Sequence, residues 1–399
     1  MDKVLAGIKR FVPRPVFNLL APVYHWKLAL LGALMYGFPS RSMKVVGVTG
    51  TSGKTTTVHF LEAIFNEAGY KTASLSGLSF KILDKEEPNL LKMTTPGRFR
   101  VQRFLAEAHR AGVEYVFLEV TSEGIKQFRH KFIKFYAALL TNLSPEHIES
   151  HGGFENYREA KAKLFKIAPV HVLNGDDENF DFFSRIPGEK KVVFRKSDYP
   201  QDLKINLAGE FNKMNAVCAM AFARLEGVPP ETIKHAVEEV KSLPGRMEFV
   251  ETGKDFKILV DYAFLPQALR KVYETLNSDF NLMGKKLICV IGAAGGGRDK
   301  WKRSVLGDVA AEFCREVIVT NEDPYDEDPM EIIREVSGKH DFSKILDRRL
   351  AIRDALKSAK KGDVVVITGK GAEPWIVEAG GRKVAWDDRA IVREELKNI

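Results

Sequence analysis

No stretch of this chain is apolar for long enough to cross a bilayer, which takes about 20 residues. The uninterrupted apolar run after Lys27 stops at Phe38, and no small-residue cleavage site follows it. Neither a membrane span nor a secretory signal is therefore expected. Cysteine is scarce. Cys218, Cys289 and Cys314 are scattered, odd in number and without metal spacing, which predicts a reducing cytoplasm and no disulfide framework. Basic runs with interleaved aromatics are missing too. The net charge of +8 thus calls for no nucleic acid; a mononucleotide and an anionic substrate suffice. Internal repeats and low-complexity tracts are absent, and 399 residues allow two or three ordinary domains.

What is present is a glycine-punctuated loop between a buried strand and an amphipathic helix, in KVVGVTGTSGKTTTVHFLEAIF, 44–65. Gly50 and Gly53 let the backbone bend so that successive N–H groups point inward at an anion, and the helix adds its positive N-terminal end. Gly50, Thr51, Ser52, Gly53, Lys54, Thr55 and Thr56 are the candidate nucleotide contacts. Lys54 would reach the outer phosphates, and the Thr55 hydroxyl would bind a magnesium ion. Val58, Leu61, Ile64, Phe65 and Ala68 recur at helical spacing before Gly69 stops the helix. The first glycine of the common phosphate-loop pattern is replaced by Val48; the glycines fall at 47, 50 and 53.

From Met43 onward apolar strands alternate with helices, the pattern of a doubly wound parallel sheet. VEYVFLEV (113–120), FYAALLTNL (135–143) and PVHVLNGDD (169–177) read as strands, and 98–111, 155–168 and 212–227 as helices. Pro244-Gly245 punctuates the chain, and a second α/β series follows with strands at 257–263, 286–294, 316–322 and 363–371. The expected architecture is α/β. It comprises a short N-terminal helical segment (1–42), a central P-loop ATPase domain with a doubly wound parallel sheet (43–243) and a C-terminal Rossmann-like α/β domain (244–399). The first segment carries Lys3, Lys9, Arg10 and Arg14 ahead of WKLALLGALMYGF. It reads either as a helix buried on the main body or as a basic, aromatic segment on the inner membrane face.

Glu119 ends an apolar strand, at the sheet edge where open α/β folds bind ligands, and can hold magnesium beside the loop. His147 and His151 have the spacing of a zinc pair. Ser144-Pro145 before them and Gly152-Gly153 after them argue against the long helix such a pair needs. Lys161 shares its helix with Lys163 and Lys166 and, taken alone, reads as a solvated face residue.

Together these segments resemble the Mur ligases, ATP-dependent amide ligases of cell-wall peptide assembly, and most of all the MurE type. The resemblance is carried by VTGTSGKTTT (48–57), MTTP (93–96), EVTSEGI (119–125), TNLSPEHIESHG (141–152), YREAKAKLF (157–165) and GEFNKMNAVCA (209–219). PGRME (244–248), VDYAFLPQAL (260–269), GGGRDKWKR (295–303), DRRLAI (347–352) and GKGAE (369–373) follow in family order. It implies ATP and two magnesium ions held by Thr55, Glu119, His147 and Lys161, the last as a carbamate formed with CO2. It implies catalytic roles for Lys54, Glu119, His147, Lys161 and Arg298, adenine on Asn215 and ribose on Asp261. Thr94, Thr95 and Pro96 would contact a muramoyl-dipeptide, while Asp323, Tyr325 and Glu373 would face the amino acid. The acceptor carboxylate would be activated as an acyl phosphate and attacked by the amine, with Pro244-Gly245 as hinge candidate. The implied enzyme is a cytoplasmic monomer, with residues 1–42 as its candidate contact with the inner membrane face.

The chain departs from the family pattern at several points. The 42 residues before Met43 are shorter than the family's UDP-sugar domain, and Glu123, Phe264 and Ala372 replace histidines. Tyr325 replaces an arginine that would fork onto a diaminopimelate carboxylate. A lipid-linked, folate or cyanophycin-type acceptor, or a non-catalytic nucleotide-binding partner subunit, are the alternative readings.

Overall fold

Two runs of strands, apolar along almost their whole length, form the centres of two sheets, as strands covered on both faces must. The structure is a computed structural model and describes residues 14–91, 93–280, 282 and 286–399; Lys3, Lys9 and Arg10 lie outside the described residues. The chain divides into two compact units. One holds the chain up to Leu143 with Arg158–Asp198 and Val217–Ile233; the other holds Ser144–Tyr157, Tyr199–Ala216 and Lys234–Ile399.

Among the described residues, the first unit has helix α1 (Arg14–Met35) as its first element. Its eight strands are β1 (Lys44–Thr49), β2 (Thr72–Leu75), β3 (Ser79–Ile82), β4 (Lys85–Pro88), β5 (Tyr115–Glu119), β6 (Phe135–Leu140), β7 (Val170–Asn174) and β8 (Lys190–Phe194). They are ordered β4-β3-β2-β5-β1-β6-β7-β8, and all pair in parallel except β3 and β4. Helices α2 (Lys54–Glu67) and α3 (Arg98–Arg110) follow β1 and β4. The chain leaves β1 toward β2 on one side and β5 toward β6 on the other, so a topological switch point lies at the C-terminal end of β1. The apolar face of α2 buries Val58, Leu61, Ile64 and Phe65, and Phe65 packs among Tyr115, Phe117 and Phe222. Helix α1 lies on α3. Ala29 and Ala33 are buried, and a side chain on Gly32 would reach the Phe99 backbone at 3.6 Å.

The second unit carries β9 (Glu248–Val250), β10 (Lys257–Asp261), β11 (Leu287–Ile291), β12 (Cys314–Thr320), β13 (Ser343–Ile345) and β14 (Val364–Thr368). They are ordered β13-β12-β11-β14-β10-β9, parallel apart from β9. Apolar residues of β11 and β14 face both sides. Leu287, Cys289, Val364 and Val366 join one core, and Ile288, Val290, Val365 and Ile367 the other. Pro244-Gly245 is packed within this unit, where a Cβ on Gly245 would lie 2.2 Å from the Ala372 nitrogen.

One expectation is corrected here. Cys289 and Cys314 form a disulfide, with Cα atoms 6.1 Å apart, although the cysteine count suggested none. The two residues are far apart in sequence, and β11 and β12 bring them together as adjacent parallel strands.

Candidate active site

In the first unit the glycine loop sits at the switch point, between the ends of β5 and β6. Gly50 has φ 150° and Gly53, which caps α2, has φ 80°. A side chain at Gly50 is impossible, because its Cβ would lie 1.9 Å from Thr141 Oγ1. The loop is braced by the segment after β6. Thr51 N donates to Asn142 O at 2.9 Å, Ser52 N to Asn142 Oδ1 at 3.1 Å, and Thr141 Oγ1 to Ser52 O at 2.7 Å. Thr141 and Asn142 belong to a segment read for its histidines and its family resemblance, so their bracing of the loop went unread.

Two lysines converge on the loop. Lys54 Nζ donates to Gly50 O at 3.0 Å and to Thr51 O at 2.8 Å, and Lys161 Nζ donates to Gly50 O at 2.8 Å. Lys161 is only 2% exposed, which overturns its residue-by-residue reading as a solvated face residue. The helix around it, Phe154–Phe165, explains the error: Lys163 and Lys166 point to water while Lys161 shares the inward side with Ala162 and Leu164.

Glu119 closes the other side. It is 1% exposed, and its Oε1 has no hydrogen-bond partner. A Cβ built on Gly77 would lie 3.5 Å from Thr55 Oγ1, 3.6 Å from Thr94 Oγ1 and 3.7 Å from Glu119 Oε2. Three oxygen groups from separate segments thus face one space that a glycine keeps open. Thr95 fixes this edge, donating from Oγ1 to Glu119 O at 2.9 Å and accepting from Thr121 N at 3.1 Å. Pro96 beside it is buried. A buried carboxylate oxygen without a donor beside hydroxyls is a donor set for a hard divalent cation. An open groove of about 1330 Å³ lies at the opposite, N-terminal end of this sheet. There Lys44, Tyr115 and Tyr136 satisfy Glu226.

His147 lies in the second unit, in a left-handed conformation (φ 54°), with Nε2 3.4 Å from Glu146 Oε1. The one-turn helix after it, Ile148–His151, is held by Asp299, whose carboxylate accepts from Ile148 N and Glu149 N, both at 3.1 Å. Asp299 is next to Arg298 and escaped sequence reading because nothing in its spacing announces a cap for so distant a segment. Burial opposes charge on Arg298, yet Tyr262, Tyr325, Glu373 and Glu146 outweigh it and raise its pKa.

Around the strand ends of this unit the other candidates meet. Lys370 Nζ, fully buried, bonds to Asp323 at 3.0 Å and to Glu373 at 2.7 Å, and Tyr262 OH donates to Glu373 at 3.0 Å. Burial works against the charge of Lys370, but Glu373, Asp323 and Glu322 hold its pKa above the ordinary value. Tyr325 sits in a left-handed conformation with its N–H on Val377 O at 3.1 Å. Asp261 accepts from Met247 N and Ala263 N, both at 2.7 Å; burial raises its pKa, against the pull of Arg246. Phe264, in place of a histidine, lies under the Lys302 ammonium at 4.8 Å. Asn215 is buried and donates to Asn212 Oδ1 at 3.2 Å. Among the described residues, no group of three or more His, Cys, Asp or Glu side chains is arranged to hold a metal. A carboxylate–hydroxyl set such as Glu119 with Thr55 falls outside that description.

Residues 48–199 match the model of the Mur ligase middle domain, and residues 245–371 that of the Mur ligase glutamate ligase domain. The chain is 36% identical over 414 residues to a UDP-N-acetylmuramoyl-L-alanyl-D-glutamate–2,6-diaminopimelate ligase of Syntrophomonas wolfei, covering 95% of this chain and 83% of that protein. It is 36% identical over 436 residues to a UDP-N-acetylmuramyl-tripeptide synthetase of Roseiflexus, covering 96% and 84%. Among solved structures, a UDP-N-acetylmuramoyl-L-alanyl-D-glutamate–2,6-diaminopimelate ligase aligns with TM-score 0.58 and 28% identity, over 89% of this chain and 78% of that one. A Mycobacterium tuberculosis folylpolyglutamate synthase aligns with TM-score 0.71 at 17% identity, over 86% and 91%, a likeness of fold alone.

Proposed function

The chain belongs to the Mur ligase family, and from that premise we propose that it joins a muramoyl-dipeptide carboxylate to an amino acid in building the peptide stem of the cell wall. Members of this family are ATP-dependent amide-bond ligases, and the chain is an enzyme of that kind. The observation that supports the reading best is the meeting of Thr55, Thr94 and the unpartnered Glu119 carboxylate in the space beside Gly77, next to the glycine loop.

The loop N–H groups and the N-terminus of α2 receive the phosphates, and Lys54 turns from its loop carbonyls toward them. Thr55 and Glu119 would hold a magnesium ion, whose charge would offset that of the two reacting anions. Thr95, fixed to the end of β5, and Thr94 beside it orient the acceptor carboxylate for attack on the γ-phosphate. That attack breaks the β,γ bond of ATP and releases ADP; the amine then attacks the carbonyl carbon of the acyl phosphate, and phosphate and a proton leave as the amide forms. In this reading Lys161 carries a carbamate, a carboxylate on a long stem that would serve a second magnesium ion, and His147 is a further candidate metal ligand. Asn215 and Asp261 hold adenine and ribose, and Arg298 the phosphates. Asp323, Tyr325 and Glu373 select the amino acid. An aromatic ring at 325 cannot fork onto a carboxylate, so the amino acid is to be found by trial rather than assumed. The enzyme works as a monomer in the cytoplasm, where ATP and nucleotide-linked precursors are found.

The test is mass spectrometry of the product formed from ATP, magnesium, UDP-muramoyl-dipeptide and a panel of amino acids. Growth of the acceptor by one amino-acid residue, with stoichiometric phosphate release, is expected. Absence of acceptor-dependent phosphate release across the panel would sink the proposal and favour a binding subunit.

A further inference from the structure

Helix α1 buries one side on α3 and leaves another bare. Val23, Leu31, Leu34 and Met35 are 53%, 55%, 58% and 69% exposed, and Trp26 is exposed beside them. Their spacing of three, four and eight places them in one stripe, about 18 Å long at 1.5 Å per residue. Four large apolar side chains in water along one helix face are a surface made to be covered.

The charges around the stripe say what covers it. Between Asp2 and Glu62 the sequence holds no carboxylate at all. Lys27 is exposed next to Trp26, and Arg41 stands at the far end with its guanidinium 4.4 Å from the Phe38 ring. The supporting helix α3 adds exposed Arg100, Arg103 and Arg110 against a single acid, Glu107. A second copy of the chain would present the same cationic rim and be repelled. An anionic, apolar-centred surface complements both features. No helix among the described residues is long and apolar enough to cross a membrane, so the helix would lie along such a surface rather than pass through it. We infer that the outward face of α1 docks the protein on an anionic lipid bilayer, with Trp26, Leu31, Leu34 and Met35 entering the headgroup boundary and Lys27 and Arg41 on the lipid phosphates.

The test is flotation of the purified full chain with vesicles of phosphatidylcholine alone or with phosphatidylglycerol added. The wild type should float with the anionic vesicles, stay behind with the neutral ones, and be released by salt. Leu31→Glu with Leu34→Glu should lower the bound fraction at least about tenfold, and Lys27→Glu with Arg41→Glu about tenfold. Both pairs should keep the wild-type circular dichroism and thermal midpoint, because all four side chains are exposed. A readout needing no charge variant is the blue shift of Trp26 emission on anionic vesicles, taken as the difference between wild type and Trp26→Phe. The inference fails if the wild type does not float, or if both variant pairs float as it does. It fails equally if sedimentation equilibrium shows a dimer that Leu31→Glu with Leu34→Glu abolishes, which would assign the face to a second copy.

Discussion

The two mostly parallel sheets end in polar crowns that are built differently. At the crown of the first, the Glu119 oxygen has no donor, and Thr55 and Thr94 face the same space. At the crown of the second, Lys370 is enclosed by Asp323 and Glu373, and Tyr262 completes the set. In the first, a carboxylate oxygen is left for a ligand to answer; in the second, the Lys370 ammonium is answered by Asp323 and Glu373, while the neighbouring Glu322 Oε2 is left without a hydrogen-bond partner. What separates the two is the buried ammonium: Lys370 ties the second cluster together, whereas among the described residues no cation bonds to the Glu119 carboxylate.

The sharpest way to break this comparison is Lys161→Ala. If the first crown is catalytic and Lys161 carries a carboxylate, ligase turnover should fall by roughly a thousandfold or more, and a short-chain carboxylic acid should restore part of it. Full activity of the variant would remove that role. On the other crown, Lys370→Met leaves the buried Asp323 and the half-buried Glu373 without their cation. It should cost about 3–5 kcal/mol, read as a lower denaturant midpoint. Glu119→Gln should separate the two kinds of site, lowering kcat about a hundredfold while leaving the thermal midpoint unchanged or higher, since the carboxylate has no partner to lose.

The smallest effect concerns pH. Burial opposes the charge of Glu226, but hydrogen bonds from Lys44, Tyr115 and Tyr136 outweigh it and hold its pKa below the ordinary value. Its contribution is fully present above about pH 4.3, the unfolded carboxylate value, and is lost as pH falls through the folded value. Tyr115→Phe should therefore cost about 1 kcal/mol at neutral pH and less in acid, measured by urea titration at both. Asp261, raised by burial, runs the other way, its stabilisation falling as pH rises from the unfolded value to the folded one.

Much of the fold was legible because period and length are local. The helix expected at 98–111 is Arg98–Arg110, and the strand expected within 113–120 is Tyr115–Glu119. The short β3 and β4 were not foreseen; β4 is exposed throughout, so neither an apolar run nor alternation marks it. The loop residues were legible from their glycines. The burial of Lys161 was not, because a lysine among lysines looks solvated until the helix is seen against Gly50. The space beside Gly77 was invisible for a related reason: three segments far apart in sequence define it, and the residue that matters has no side chain. Cys289 and Cys314 escaped likewise, since only the sheet makes them neighbours.

The Gly50 carbonyl has two lone pairs and, at rest, two ammonium donors. If Lys54 leaves for an arriving phosphate, as proposed, that oxygen would not be orphaned, because Lys161 also donates to it. A carbamylated lysine still keeps one N–H, so the same tether survives the modification. On the proposed reading the two lysines would divide the work, one moving to the nucleotide and the other, as ammonium or as carbamate, keeping an N–H on the turn that receives it.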